Sequence, residues 1–246
     1  MALEYQTEAI LLTARDWGAA DRVVTLFSRE FGIVTFMAYG ARKAKSKLGG
    51  SLQAFTHLHL AIGCGKGMDS IKQCEVQTSF REIREDLTRL AYANFIAELT
   101  TGLWPEHQAE EEVYNRLLAI LGLLAVRNPR IAALVGAWQL MVLAGFQPEY
   151  RLCALCGRKL ALPAGFSYAA GGGLCAQCNA PDSMAFNQSD QEFLHQLLTV
   201  DINNPGHFAV SAKILASAEK LLYGFVRHQL ERPLKSLAFI DQINAL

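Results

Sequence analysis

The 246-residue sequence contains no apolar run long enough to span a membrane. Its most apolar stretches, residues 117–126 and 131–146, are shorter than the roughly 18 residues that such a span needs. The first residues include acids where a secretory signal has a basic region, so we expect a cytoplasmic protein without a membrane partner. The chain also has no net charge, because 23 Lys and Arg balance 23 Asp and Glu. The chain as a whole is therefore not a polycation.

Familiar catalytic motifs are missing as well. The sequence contains no Gly-x-Ser-x-Gly, Walker loop, dinucleotide fingerprint or His-Glu-x-x-His. His57 and His59 share a predicted strand face, and without neighbouring carboxylates we interpret them as an ordinary surface pair. Asp16 and Asp21 flank a Trp17-Gly18 turn, where capping or turn roles account for them. The sequence predicts a protein that is not an enzyme, with an unfamiliar active site of Asp16, Asp21 and His57 as an alternative.

Acidic residues are absent from Phe31 to Met68. Inside this stretch, four cations occupy six positions of a glycine-bordered loop: Arg42, Lys43, Lys45 and Lys47. Cations without nearby acids attract polyanions, and a phosphate backbone is the natural partner. Tyr39 and Phe55, close by in the sequence, could stack on bases. A merely solvated loop is the alternative interpretation.

The hydrophobic pattern changes its period near residue 80. Before it, short stretches typical of strands at residues 9–12, 22–27, 33–39, 58–62 and 70–76 predict a small barrel. In the third stretch, Val34, Phe36 and Ala38 are predicted to face the core and Tyr39 to face outward. After it, the spacing predicts helices at residues 87–99, 113–126, 129–145, 189–198 and 211–230. Asn128 and Pro129 are predicted to start the third helix, and Ser189 to Glu192 to cap the fourth.

These patterns predict an α+β protein of several domains. The predicted ranges are a barrel at 1–80, a first part of a helical domain at 81–150, a cysteine-rich insert at 151–182, and the second part of the helical domain at 183–246. The insert has few apolar side chains for a core of its own.

Two pairs of cysteines define that insert. Cys153 and Cys156 form one C-x-x-C, Cys175 and Cys178 form another, and eighteen residues separate the pairs. This spacing is typical of structural zinc sites, in which four thiolates complete a tetrahedron and leave no position for a reactive water. A redox pair, two disulfides and an iron–sulfur cluster are the alternatives, although the last usually has other spacings. We expect one structural Zn²⁺ that supplies much of the insert's folding energy.

Several short segments in this order resemble the RecO family of bacterial recombination mediators and DNA repair proteins. The resemblance extends over the whole chain and is carried by Asp16-Trp17-Gly18, Asp21-Arg22, Phe31-Gly32, Gly40 to Lys43, Leu52 to Thr56, Gly145 to Pro148, Cys153 to Gly157 and Arg232 to Ser236.

The resemblance implies a fold and a set of partners. It implies an N-terminal OB-fold, a helical domain and a zinc-ribbon-like insert. It also implies that the protein binds single- and double-stranded DNA at the nucleoid, anneals complementary strands, partners RecR, and helps RecA load onto DNA coated by single-strand binding protein. The acidic tail of that protein is expected to dock on the helical domain, although residues 134–137 are apolar where a cation was expected.

The same resemblance assigns the family's basic loop to Arg42, Lys43, Lys45 and Lys47, with Arg15 and Arg22 as further DNA-binding candidates on neighbouring strands. One alternative function remains open from the residues themselves. The chain could be a zinc-ribbon adaptor that binds proteins through its helical domain and does not contact DNA.

Overall fold

The structure, a computed structural model, describes residues 4–65 and 67–244. Lys66, a cation of the acid-free stretch, lies outside the described residues. Contacts between residues divide the chain into one unit up to Pro129 and another from Arg130 onward. The helices before residue 129 therefore group with the strands of the first unit. The domain ranges drawn from periodicity divide the chain at other positions and stay a prediction.

The first unit is built on a five-stranded, mostly antiparallel sheet. Its strands are β1 (Glu4–Trp17), β2 (Asp21–Ser28), β3 (Gly32–Ala38), β4 (His57–Gly63) and β5 (Ser70–Thr78). They follow one another in the order β1-β2-β3-β5-β4, and β4 pairs back with β1, which closes the sheet. The closure between β3 and β5 is narrow, because it consists of one parallel pair, Met37 with Ser70.

Alternation along β3 places its side chains as the sequence predicts. Val34, Phe36 and Ala38 belong to the apolar cluster inside the barrel. The opposite face is covered as well, since Ile33 is 2% exposed. Part of this cover is the segment after residue 105, where the His107 N–H donates a hydrogen bond of 3.0 Å to the Ile33 carbonyl.

Gly32 at the start of β3 is required by that same contact. Its φ is +66°, in the left-handed region that favours glycine. A Cβ built there would lie 1.9 Å from the backbone oxygen of Gln108. The residue therefore allows both the turn after β2 and the close approach of a second backbone segment.

Helices complete the first unit: α1 (Lys47–Ser51), α2 (Arg81–Glu85), α3 (Leu87–Leu103) and α4 (Glu111–Val126). The short helix α1 was not predicted, because five residues give too little periodic signal. Ser46 caps it by accepting a hydrogen bond from the Leu48 N–H at 3.3 Å. The first turn of α4 contains Glu111 and Glu112, whose charges suit the positive end of the helix dipole.

The second unit combines helices with a small sheet. Its elements are α5 (Pro129–Leu143), β6 (Ala164–Ser167), β7 (Gly172–Leu174), β8 (Met184–Phe186), α6 (Gln188–Thr199), α7 (Ala212–Leu230) and α8 (Lys235–Asn244). The predicted start of α5 at Pro129 is confirmed, and α7, predicted from about residue 211, begins at Ala212. The predicted cap of α6 at Ser189 is wrong: the helix begins two residues earlier, and the capping box is formed by Asn187 and Asp190.

The small sheet is attached to the helices by aromatic packing. The strand order is β7-β6-β8. Phe166 on β6 lies 5.4 Å from Phe186 and 6.2 Å from Phe225 on α7, measured between ring centroids. Phe225 also packs on Trp138 of α5 at 5.3 Å. The cysteine-rich insert thus shares its core with α5 and α7.

Among the described residues, no helix combines the length and the apolar character that crossing a bilayer requires.

Candidate nucleic-acid interface and metal centre

The basic loop leaves the end of β3 and lies against the β1–β2 turn. Asp21 accepts a hydrogen bond of 2.7 Å from the Gly40 N–H. The Arg42 N–H donates to the Ala20 carbonyl at 2.9 Å. These two contacts fix the start of the loop to the neighbouring hairpin, so the turn and the loop form one continuous surface.

Arg42 holds this surface together. Its Nε lies 3.1 Å from Asp16 Oδ2, and its Nη1 donates to the Gly18 carbonyl at 3.1 Å. Asp16 also pairs with Arg22, whose Nε lies 3.1 Å from Oδ1. One carboxylate therefore partly neutralises two of the predicted DNA-binding cations. The sequence shows no acid inside the loop, but the register of β1 with β2 brings Asp16 opposite Arg22.

The lysines of the loop are placed differently. Lys43, Lys45 and Lys47 are exposed. Within residues 4–65 and 67–244, no ion pair to these three side chains is present. Lys47 is the first residue of α1 rather than a loop residue. Among the four cations of the basic loop, these lysines therefore carry the charge that no ion pair within the described residues offsets.

The remaining DNA-binding candidates separate into exposed and buried side chains. Arg15 is exposed, with its guanidinium carbon 6.0 Å from the centre of the Trp17 ring. Tyr39 is 59% exposed and faces outward, as predicted. Phe55 is 1% exposed, so its predicted role in base stacking is wrong. Its φ of +62° lies in the left-handed region, which few residues other than glycine adopt.

His57 is not part of a free surface pair. Its Nε2 lies 2.8 Å from the hydroxyl oxygen of Tyr114 on α4, and the two rings meet edge to face. Partial burial lowers the pKa of His57 below its ordinary value. The prediction of an ordinary surface pair is therefore wrong for this residue, whose role is to join β4 to α4.

The four cysteines of the insert converge on one point. The Sγ atoms of Cys153, Cys156, Cys175 and Cys178 all lie within 4.8 Å of one another. Cys156 and Cys175, from different C-x-x-C segments, have their sulfurs 3.8 Å apart. A tetrahedron with metal–sulfur bonds of about 2.3 Å has edges of about 3.8 Å. The arrangement can therefore hold a metal ion.

Backbone hydrogen bonds shape the first half of this cluster. The Cys153 N–H donates to the Arg158 carbonyl at 2.7 Å, and the Gly157 N–H donates to the Cys153 carbonyl at 2.9 Å. Gly157 has a φ of +70°, which closes the turn after Cys156. The Ala154 N–H donates to Gly173 on β7 at 2.9 Å, so the small sheet positions this turn.

The thiols have unequal acidities for local reasons. Backbone N–H groups of Cys175 and Cys156 lower the pKa of Cys153 to about 6. A hydrogen bond from Arg158 Nε, at 3.3 Å, lowers the pKa of Cys156. Hydrogen bonds with Cys156 and Cys175 raise the pKa of Cys178 to about 12. Sulfurs this close cannot all carry negative charge unless a cation balances them, which is the condition a metal ion satisfies.

Taken together, the fold and these sites define a mixed α+β protein with an accessible lysine surface on its barrel and a four-cysteine cluster in its second unit. Comparison with known proteins gives the family. The model described as "Recombination protein O N terminal" matches residues 1–80, and "Recombination protein O C terminal" matches residues 84–238. The chain belongs to the Recombination protein O family, and the resemblance seen in the sequence is confirmed.

Full-length relatives agree with this assignment. The chain is 34% identical over 240 residues to the DNA repair protein RecO of Pelotomaculum thermopropionicum, with 97% of this chain and 94% of that protein covered. It is 33% identical over 252 residues to the DNA repair protein RecO of Symbiobacterium thermophilum, with 100% and 99% covered. Family membership supports a role in DNA repair and recombination.

Proposed function

We propose that this chain is a recombination mediator that binds single- and double-stranded DNA and anneals complementary strands without catalysing a reaction. The observation that carries the proposal is the exposed surface of Lys43, Lys45 and Lys47 on the barrel. Their charges are not cancelled by ion pairs within the described residues, whereas Arg22 and Arg42 are paired with Asp16. The lysines therefore make the first contacts with phosphate.

The proposed mechanism is electrostatic. Two DNA strands repel each other through their phosphates, and lysines that replace condensed counterions reduce this repulsion. Ammonium groups bind phosphates as point charges and leave the base edges free to pair. Annealing then requires no bond chemistry, nucleotide or reactive metal.

We further propose that the barrel is an OB-fold. Its strand order β1-β2-β3-β5-β4, its four antiparallel pairings with one parallel contact between β3 and β5, and the helix α1 between β3 and β4 support this assignment. OB-folds bind nucleic acid on the face of the second and third strands and at the loops around it. The basic loop follows β3 and contacts the β1–β2 turn, which is the corresponding region.

The lysine surface is tested with a charge-matched pair of variants. Lys43→Ala with Lys45→Ala removes two phosphate contacts, each contributing about 0.7 to the slope of log affinity against log salt for a single strand. We expect the slope to fall by about 1.4 and binding at 0.1 M salt to weaken by up to about 25-fold. Lys213→Ala with Lys220→Ala is the control, because both residues are exposed on α7 and the charge change is the same.

Fluorescence anisotropy with a labelled single strand measures affinity from 0.05 to 0.4 M salt, and mixing complementary strands measures annealing. Equal losses in both double variants would show that only net charge matters and would contradict the loop assignment. A wild-type protein without a salt-dependent complex would favour the zinc-ribbon adaptor, which binds proteins instead of DNA.

We propose Zn²⁺ as the metal of the cysteine cluster, with a structural role. Four thiolate ligands favour Zn²⁺ over harder cations and complete its coordination. The ion would hold the turn after Cys153 against the turn after Cys175. Because Phe166 of the insert packs on Phe186 and Phe225 in the unit's core, we expect loss of the ion to loosen the insert without unfolding the chain.

This proposal is tested by measuring the metal content and the thermal stability of the same protein sample. Elemental analysis should find one zinc per chain, and Cys175→Ser should lose it with a clear fall in Tm. Cys64→Ser is the control, since Cys64 is exposed and lies outside the cluster. Iron or sulfide in the wild-type sample, or a Tm unchanged by Cys175→Ser, would be inconsistent with a structural zinc.

The proposed protein partners of this chain are supported by its family membership. We propose that RecR and the acidic tail of single-strand binding protein bind this chain, and that RecA is reached indirectly, at the bacterial nucleoid. Leu134, Val135 and Ala137 are buried in α5, so the tail must use another surface. Titration of a labelled tail peptide and co-elution with RecR test these contacts; no binding of the peptide or of RecR would contradict the corresponding partner.

A further inference from the structure

We infer that Trp17 is a base-stacking residue that forms, with Tyr39, an aromatic platform for single-stranded DNA beside the lysine surface. This inference rests on the proposed function and assigns to the β1–β2 turn a role in binding bases rather than phosphates. The observation behind it is an exposed indole directly before Gly18, the residue that Arg42 of the basic loop contacts. Trp17 is 55% exposed, although burial of an indole is among the largest apolar contributions that a side chain can make.

The position of Trp17 is fixed by the barrel. It is the last residue of β1 and pairs with Asp21 at the start of β2. Arg22, the next residue of β2, pairs with Ala38 at the end of β3, immediately before Tyr39. Trp17 at the end of β1 and Tyr39 directly after β3 therefore lie at the same end of the barrel with β2 between them, roughly 9.5 Å apart in strand spacing. Both side chains are more than half exposed.

Two hydrogen bonds connect the β1–β2 turn to the basic loop next to the two rings. Arg42 Nη1 donates to the Gly18 carbonyl, directly after Trp17, and Asp21 accepts from the Gly40 N–H, directly after Tyr39. Each aromatic residue is thus adjacent to a residue held by the opposite segment. A platform held in advance loses little conformational freedom when a ligand binds.

The charges around the rings suit a nucleic acid strand. Arg15 approaches the Trp17 ring, and Lys43 and Lys45 follow in the loop. The nearby carboxylates are engaged: Asp16 in ion pairs with Arg22 and Arg42, and Asp21 in the hydrogen bond from Gly40. Cations that track a backbone next to rings that stack on bases form the usual combination for sequence-tolerant binding of single strands.

The inference separates base binding from phosphate binding, so the test uses two ligands of equal charge. One is an oligothymidylate, and the other is an abasic strand of the same length. Wild-type protein should bind the first more tightly, and Trp17→Ala should weaken it by about 5- to 150-fold, the factor for about 1–3 kcal/mol per stacked base. Binding of the abasic strand and of duplex DNA, whose bases are inaccessible, should not change.

Further variants and a spectroscopic signal exclude a purely structural effect. Trp17→Phe should retain most of the affinity, since a phenyl ring still stacks. Leu87→Ala is the control, because Leu87 is also 55% exposed in the same unit and is not near a basic loop in sequence. The oligothymidylate should quench the fluorescence of Trp17, because Trp104 and Trp138 are buried at 8% and 0% exposure.

Each result has a defined meaning. If Trp17→Ala binds both strands as the wild type does and quenching is absent, the stacking role is refuted while the lysine surface stands. If Trp17→Ala weakens both strands equally, Trp17 supports the loop only and the inference is again refuted. If wild-type protein binds neither strand, the proposed function fails together with the platform, and Trp17 becomes a candidate for contact with a protein partner.

Discussion

The pairing of Asp16 with two arginines leads to a prediction with an unusual sign: removing its charge should improve DNA binding. Asp16 lies 3.1 Å from both Arg22 and Arg42, at the edge of the surface proposed to meet phosphate. Asp16→Asn removes a negative charge from this edge and makes both guanidinium groups available. Arg42 keeps its hydrogen bond to the Gly18 carbonyl, so the loop should stay attached to the turn.

The size of this effect follows from Coulomb's law. A carboxylate about 8 Å from a phosphate is repelled by about 0.5 kcal/mol in water. With two phosphates at that distance, screening leaves about 0.5 kcal/mol at 0.1 M salt and about 0.8 kcal/mol at 0.01 M. We therefore expect Asp16→Asn to bind single-stranded DNA about twofold more tightly at 0.1 M salt and about fourfold more tightly at 0.01 M.

Anisotropy titrations at both salt concentrations measure this change, and thermal unfolding monitors the fold. Each of the two ion pairs is partly exposed and is worth at most about 1 kcal/mol, so Tm should fall only slightly. Glu85→Gln is the matched control: it breaks an exposed pair with Arg81, at 2.6 Å, and changes the net charge equally. Binding that is weaker than the wild type at unchanged Tm, or a gain of equal size in the control, would refute the electrostatic reasoning.

Two further predictions concern stability. Glu219→Gln breaks a bidentate ion pair with Arg130 of α5, at 2.6 and 2.9 Å. Because the glutamate side chain is only 10% exposed, we expect chemical denaturation to show a free energy of unfolding lower by about 1–3 kcal/mol. A change below about 0.5 kcal/mol, the size of an ordinary surface substitution, would contradict this prediction. Gly32→Ala should destabilise by about 2–4 kcal/mol, because of its positive φ and the backbone oxygen 1.9 Å from the new Cβ. Gly122→Ala, with open space on α4, should instead be neutral or stabilising, and equal effects of the two alanines would refute the packing argument.

Local signals in the sequence were sufficient for several elements. Pro129 begins α5 because its ring has a helical φ and its missing N–H would have no intrahelical partner. Ser211 caps α7 by accepting a hydrogen bond from the Ile214 N–H, a contact between residues three positions apart. The double C-x-x-C spacing likewise predicted a cluster whose sulfurs converge. In each case the chemistry depends on residues near one another in the chain.

Other predictions failed where the outcome depended on distant residues. Phe55 looks like an accessible ring beside a basic loop, but its N–H bonds to the Leu11 carbonyl of β1 and its ring is buried. His57 looks like a surface histidine, but Tyr114, 57 residues away, meets it on α4. The cap of α6 was misplaced by two residues because Ser189 and Asn187 are both good capping residues, and only the structure selects between them.

The change from strands to helices near residue 80, the cysteine cluster and the presence of a basic loop could be predicted from the chain alone, because periodicity, ligand spacing and charge are local properties. Which cations of that loop are paired with a carboxylate depends on the fold. The β1–β2 register brings Asp16 against Arg22, and the path of the loop brings it against Arg42, while Lys43, Lys45 and Lys47 remain exposed. A carboxylate 26 positions away in the chain can neutralise a cation because Coulomb interactions depend on distance in space.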